Sequence, residues 1–489
     1  MNPLRKLASQ TAIYGFSSVV GRFLNYLLVP LFTYYFAPEE YGVIAELYAY
    51  MGFLTVTLML GLETGYFRFS SDNKWDTKIV YSTTLRTIIG INSLFLFLVF
   101  IFLTPLATNL RYQQHPQFLA WTAVILAADS VGAIAFARLR AEHQAMRFAG
   151  IKLLEIAVNI GFNLFFIGYC KAKYTADPTS WAGSLWYPEV GVGYVLIANL
   201  IASIAKLVLL STELKGITNG FNISLLNRIL RYSLPMVIIG FAGIINEMLD
   251  RVVLKYLLPY DSTQNMAQLG IYSACYKLSI LMSLFIQAFR YAGEPFFFAY
   301  AQQANAKQIY AAVLRYFVIA CVFIFLVVSL YIDIFKYFVG APYRVGIQVT
   351  PILLFANLFL GIYVNLSIWY KLSDHTLIGA AVSILGAVIT LVLLLWWVPI
   401  FGYIGAAWAT LVCYATMAVI SYILGNYYYP VPYDIKRIIT YLILGISIYC
   451  IHIIVINHTD ISSILVATIE IVAFLSIALW LDGRKLKIA

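Results

Sequence analysis

Apolar runs of about twenty residues, the length that crosses a bilayer as a helix, recur along almost the whole chain. They fall near 11–36, 41–66, 79–104, 117–138, 148–169, 190–212, 232–258, 269–292, 309–331, 347–370, 377–399, 403–425, 437–456 and 462–481. Lipid offers backbone N–H and C=O groups no partner, so such segments must satisfy their hydrogen bonds internally, as helices do. The expected fold is therefore an all-α, polytopic membrane protein with about fourteen transmembrane helices. Composition agrees. Of 489 residues, 62% are hydrophobic and 11% charged, whereas soluble chains carry roughly 25% charged residues.

The net charge of +10 would suggest nucleic acid in a soluble chain. Here the excess sits in alternate short loops and records membrane orientation instead; no nucleic-acid partner is expected. One set of loops carries Arg5, Lys6, Arg68, Lys74, Lys78, Arg138, Arg140, Arg147, Lys152, Lys215, Arg228, Arg231, Lys307, Lys371, Lys436, Arg437, Arg484, Lys485 and Lys487. The other carries only Arg111, Lys171, Lys173, Lys336, Arg344 and, at the end of its apolar run, Lys255. The positive-inside rule puts the first set, the 138–152 loop and both termini in the cytoplasm. The first helix is too long and too charged for a signal segment, so its retention is expected. The five cysteines are scattered singly and suggest no disulfide framework.

The chain repeats itself. Gly21-Arg22 through Tyr26-Leu27-Leu28 to Pro30 is echoed by Asp250-Arg251 through Tyr256-Leu257-Leu258 to Pro259, and Gly42 to Tyr48 by Gly270 to Tyr276. The echo relates helix 1 to helix 7 and helix 2 to helix 8. Each half then has six helices and the same orientation, the pattern of a parallel transporter repeat. The expected domains are an N-terminal six-helix lobe (1–212), a cytoplasmic amphipathic linker (213–231) with Ile223, Leu226, Ile229 and Leu230 on one face, a C-terminal six-helix lobe (232–425), and helices 13–14 with a tail (426–489). The last pair stands outside the repeat and reads as an appendage. No loop is long enough for a soluble domain; the largest runs from Lys171 to Glu189.

No nucleotide-binding, metal-protease or dinucleotide motif occurs, so no cofactor, no metal site and no enzymatic activity are expected. What remains is a set of ionisable residues in apolar runs, where charge is costly and normally faces a bundle interior or a wet cavity. Glu247, Asp250, Arg251 and Lys255 share one helix face by spacing. Glu247 is expected to pair with Arg251, and Lys277 to meet Asp250 or Glu247. Arg22 has no acid at i±3 or i±4; its guanidinium fork suits phosphate oxygens and makes it the leading anion ligand. Glu46, Asp129 and Glu247 are the carboxylates able to carry a coupling proton or sodium ion.

Several stretches resemble bacterial polysaccharide-repeat exporters, the O-antigen and capsule unit flippases of the multidrug/oligosaccharidyl-lipid/polysaccharide superfamily. They are Pro38-Glu39-Glu40-Tyr41-Gly42, Gly61 to Phe69 (GLETGYFRF), Ala137 to Glu142 (ARLRAE), Asp250-Arg251, Phe289 to Phe296 (FRYAGEPF) and Asn365 to Lys371 (NLSIWYK). The resemblance implies two six-helix lobes around a central cavity, in the bacterial inner membrane. It implies that an undecaprenyl-diphosphate-linked oligosaccharide moves from the cytoplasmic to the periplasmic leaflet by alternating access, alongside a polymerase and other polysaccharide-assembly proteins. In that setting Arg22, Arg86, Lys206, Arg251, Lys277 and Arg290 are the expected diphosphate or cavity cations. Glu46, Glu63, Asp129, Glu247 and Asp250 are the coupling or cavity carboxylates. The alternatives are a cation-coupled multidrug exporter, a peptidoglycan-precursor flippase of the same superfamily and, more distantly, a membrane-embedded polymerase or ligase.

Overall fold

The computed structural model describes residue 15 and residues 19–72, 74–218, 220–459 and 461–482. Arg5, Lys6, Arg484, Lys485, Lys487, most of residues 11–18 and the Glu294 side chain lie outside the described set. Every described element is helical. The first unit contains α1 (residues 19–26), α2 (Leu28–Tyr35), α3 (Pro38–Met59), α4 (Leu62–Ser70), α5 (Thr77–Ile101), α6 (Leu103–Asn109), α7 (Pro116–Ala141), α8 (Ala145–Asn163), α9 (Lys171–Ala176), α10 (Gly193–Leu209), α11 (Ser211–Leu214) and most of α12 (Ile223–Leu257). The second contains α13 (Ser262–Leu278), α14 (Ile280–Tyr300), α15 (Ala306–Leu330), α16 (Ile332–Phe335), α17 (Val349–Leu366), α18 (Ile368–Leu372), α19 (Thr376–Tyr428), α20 (Ile435–His458) and α21 (Ser463–Asp482).

Local chemistry sets where these helices begin. Pro38 opens α3, and the Ala37 amide donates to Glu40 Oε2 at 2.8 Å, so the Pro-Glu-Glu stretch is a helix start. Asp76 and Asp261 cap α5 and α13 by accepting from Lys78 N (2.9 Å) and Gln264 N (2.8 Å).

The chain divides into compact units at Met1–Val252 and Val253–Ala489, and the division falls inside α12. The helix expected to open the C-terminal lobe therefore belongs for most of its length to the first unit. The reason is a close antiparallel seam. A Cβ on Gly52 would lie 2.7 Å from Met248 Sδ, one on Gly240 3.0 Å from Val56 Cγ1, and one on Gly61 2.8 Å from the Ser233 carbonyl oxygen. Nor is 213–231 a separate surface helix. Ser211–Thr218 forms a short helical turn, and from Ile223 the helix runs without interruption into the span, through Pro235. Of the expected apolar face, Leu226 and Ile229 are buried, with Leu225 beside them, while Ile223 is exposed.

Among the described residues, nine helices are long and apolar enough to cross a membrane, or eleven if each of two bent pairs is one span. This test does not reach fourteen, and three places account for the gap. The first span is only partly described. α12, Ile223–Leu257, is not among the helices counted. α19 counts once although its 53 residues, about 80 Å of helix, cannot be a single crossing. α19 is a hairpin: Gly402 breaks it at φ +62°, and Cys413 Sγ lies 3.3 Å from the Gly386 carbonyl oxygen, 27 residues away in sequence. The two arms are those expected on either side of 400–402.

In the second unit the core joins α15, α17 and α19 to α20 and α21. Cys321, Val322, Leu354, Cys413, Tyr441, Ala467 and Phe474 are all fully buried together. The last two helices are thus part of this unit's core and not an appendage.

Candidate functional site

The first unit gathers charge where α1, α7, α8 and α10 meet. Lys206 on α10, 4% exposed, reaches Asp129 Oδ1 on α7 at 2.5 Å and Glu155 Oε1 on α8 at 2.9 Å. Ser203, one turn before Lys206, donates to the same Asp129 oxygen at 2.7 Å. Lys152 binds the other Glu155 oxygen at 2.8 Å. Gly132 makes room for the lysine stem, since a Cβ there would meet Lys206 Cε at 3.0 Å. Asp129 keeps 41% of its side chain exposed. Two lysines and two carboxylates cancel.

Arg22 lies beside this group. Its helix packs on α8, with a Cβ on Gly21 lying 2.6 Å from Ile156 Cδ1 and Asn159 Nδ2 donating to Asn25 Oδ1 at 3.2 Å. Glu155, the acid next to Ile156, is already held by two lysines. Arg22 is exposed and makes no ion pair among the described residues. Its donor fork meets no carboxylate among the described residues.

The other expected site residues fall into different surroundings. Arg86 is exposed, but its Nε donates to the Ile217 carbonyl at 2.9 Å, joining Ser82 in tying the turn after α11 to α5. Glu63 binds Arg140, whose guanidinium also covers Phe67. Glu46 is completely buried and accepts from the Tyr112 hydroxyl at 2.6 Å. The expectation for Glu247 and Arg251 needs correction. Arg251 is buried and binds Asp250 Oδ1 (3.0 Å) and the main-chain carbonyl of Glu247 (2.6 Å), while the Glu247 side chain is exposed. The long arginine side chain folds back over its own helix, so Asp250, the adjacent residue, serves as its counter-charge. In the second unit, Lys277 is half-buried in the last turn of α13 and Arg290 is exposed on α14.

The sequence reading left Glu155, Ser203 and Tyr112 out of the site. Lys152 with Glu155 and Ser203 with Lys206 are both i, i+3 pairs, a spacing that marks one helix face and could have flagged the two sides of the network. A second knot was also missed. Asp482 at the end of α21, 3% exposed, binds Arg437 Nη1 (2.5 Å), the Tyr441 hydroxyl (2.5 Å) and Arg315 Nε (3.2 Å), clamping α21 to α20 and α15. Deeper in the same pair, His452 Nδ1 meets Glu470 Oε2 at 2.7 Å.

Residues 7–300 match the family described as polysaccharide biosynthesis protein. No curated protein sequence matches the chain. Among solved structures, the lipid II flippase MurJ in an inward closed conformation aligns with a TM-score of 0.67 at 15% identity, covering 95% of this chain and 98% of that one. An inward-facing multidrug resistance MATE family transporter of the MOP superfamily aligns at 0.62 and 15% identity (86% and 94%). The MATE multidrug transporter DinF-BH aligns at 0.60 and 16% identity (87% and 96%). At such identities the likeness shows the fold: all-helical, of the kind shared by MurJ and the MATE transporters.

Proposed function

Taking as premise that the chain belongs to the polysaccharide biosynthesis protein family, we propose that it flips an undecaprenyl-diphosphate-linked oligosaccharide from the cytoplasmic to the periplasmic leaflet of the bacterial inner membrane. The observation that carries this reading is the family match over more than half the chain. The fold supports a lipid-linked cargo, since one of its solved examples is a lipid II flippase. The movement is alternating access driven by a coupling ion, and the glycan is destined for O-antigen, capsule or exopolysaccharide.

Arg22 is the proposed principal contact for the diphosphate. A guanidinium with no counter-charge among the described residues binds an anion without first breaking an ion pair, and its fork donates to two phosphate oxygens at once. Lys206 and Arg251 are already committed to carboxylates and serve structure first. Asp129, half-exposed and tied to Lys206, is the carboxylate proposed to take the coupling proton. A cationic drug is poorly served by an exposed arginine on an apolar helix, which ranks the multidrug reading below this one.

The test is glycan display in a flippase-null strain, normalised to protein in the membrane. Arg22→Ala should insert normally and fail to restore display. Arg22→Lys should restore part of it, because the charge survives while the fork is lost. Full display from well-inserted Arg22→Ala would overturn the assignment.

A further inference from the structure

The first unit holds a cavity of about 490 Å³ walled by α3, α5, α6, α7 and α12, with Phe53, Leu54, Phe95, Leu119, Ala123 and Leu249 among its lining. Among the described residues that line it, the only polar side-chain groups are the hydroxyls of Tyr50 and Thr122. Such a wall cannot hold a phosphate, a sugar or a cation. A cavity of this chemistry takes apolar ligands, and an apolar cavity of about 150 Å³ accommodates benzene. By that scale this one has room for about twenty carbon atoms.

The surroundings indicate where the ligand comes from. Phe95 and Val99 line the cavity, while Leu94, Phe97, Leu98, Phe100 and Ile101 of the same helix are 44–61% exposed. On a helix apolar enough to cross a membrane, those exposed side chains face lipid tails. The cavity wall is thus continuous with the lipid-facing surface of α5. We infer that one acyl chain of a bilayer phospholipid seats in this cavity and packs α3, α5, α7 and α12 together. The volume matches a single acyl chain; a longer polyprenyl chain would leave most of itself outside. The bilayer also supplies acyl chains at far higher concentration than any transported lipid. An unfilled apolar cavity destabilises in proportion to its volume, so the bound chain is a structural component of this unit and acts independently of the cargo.

The test uses full-length protein in liposomes containing phosphatidylethanolamine with a diazirine at the end of one acyl chain. A parallel arm uses a diazirine-bearing polyprenyl phosphate. After irradiation, adducts are mapped by mass spectrometry. The phospholipid probe should label Leu54, Phe95 or Leu119. Ala123→Phe, which fills the cavity, should cut that labelling at least tenfold while adducts on the outward-facing Phe97 stay unchanged. Detergent delipidation should lower the unfolding temperature of the wild type more than that of Ala123→Phe. If the phenylalanine variant fails to insert, Ala123→Leu is read in the same way with a smaller loss. Cavity labelling that persists in the filled variant, or that arises only with the polyprenyl probe, would overturn the proposal.

Discussion

Lys206 and Arg22 are both cations on apolar helices of the first unit, yet their surroundings oblige different behaviour. Removing Lys206 leaves Asp129 and Glu155 without their shared counter-charge, and stranding a buried charge costs about 3–5 kcal/mol. The low end applies here, because Asp129 is 41% exposed and Lys152 still holds Glu155. Lys206→Ala should therefore lower both membrane yield and the unfolding temperature of the purified protein. Adding Glu155→Gln should recover part of the loss. A stable Lys206→Ala protein with undiminished yield would show that the network does not stabilise the fold. Arg22→Ala, which breaks no ion pair among the described residues, should leave both readouts unchanged.

Helix-scale behaviour turns on glycines at two positions. Gly61 and Gly65 are four residues apart on the face where α4 meets α12, and a Cβ on Gly65 would meet Ile229 Cγ2 at 2.7 Å. Small residues at this spacing let membrane helices approach closely. Gly65→Leu must push α12 away, an overpacking cost of about 1–3 kcal/mol or more. Gly90→Leu and Gly150→Leu, at positions where a Cβ meets nothing within 4 Å, should be neutral, and thermal unfolding of the three proteins side by side checks this. At the α19 hairpin the limit is conformational. Gly402 has φ +62° and ψ −145°, a region that is essentially glycine-only and costs about 1–3 kcal/mol for other residues. The nearest atom to a new Cβ is 3.9 Å away, so Gly402→Ala should destabilise through backbone strain alone, without any clash.

For the whole molecule, two expectations follow. The last two helices complete the core of the second unit, so truncation after Tyr428 should abolish stable insertion, where an appendage would be dispensable. Asp482→Ala should show the milder form of the same defect, because it leaves Arg437 and Arg315 facing each other without the buried carboxylate. Size-exclusion profiles of the detergent-solubilised protein distinguish the two outcomes. Orientation is tested by impermeant thiol labelling in a background where the exposed Cys450 is replaced. Met146→Cys, at a position 74% exposed, should be protected in intact cells, and Gln113→Cys should be labelled. The reverse pattern would invert the topology and the proposed transport direction.

What the sequence determined by itself is what lipid and local geometry enforce on every such chain. Long apolar runs must be helices, proline and acidic residues start them, and Gly402 with Pro399 before it divides the hairpin. That Arg22 has no acid one turn away on its own helix was also legible, because that is a property of one helix. The tertiary structure decided everything that crosses between helices. Lys206 finds its acids on α7 and α8, Arg86 finds a carbonyl in the turn after α11, and Asp482 gathers residues from α15 and α20. Glu247 loses its expected pairing because Arg251 folds back to Asp250. The physical reason is that spacing fixes which residues share a face of one helix, whereas the rotation and approach of neighbouring helices depend on where small residues let their backbones close. Those approaches, at Gly21, Gly52, Gly61, Gly65 and Gly132, decide which charges meet.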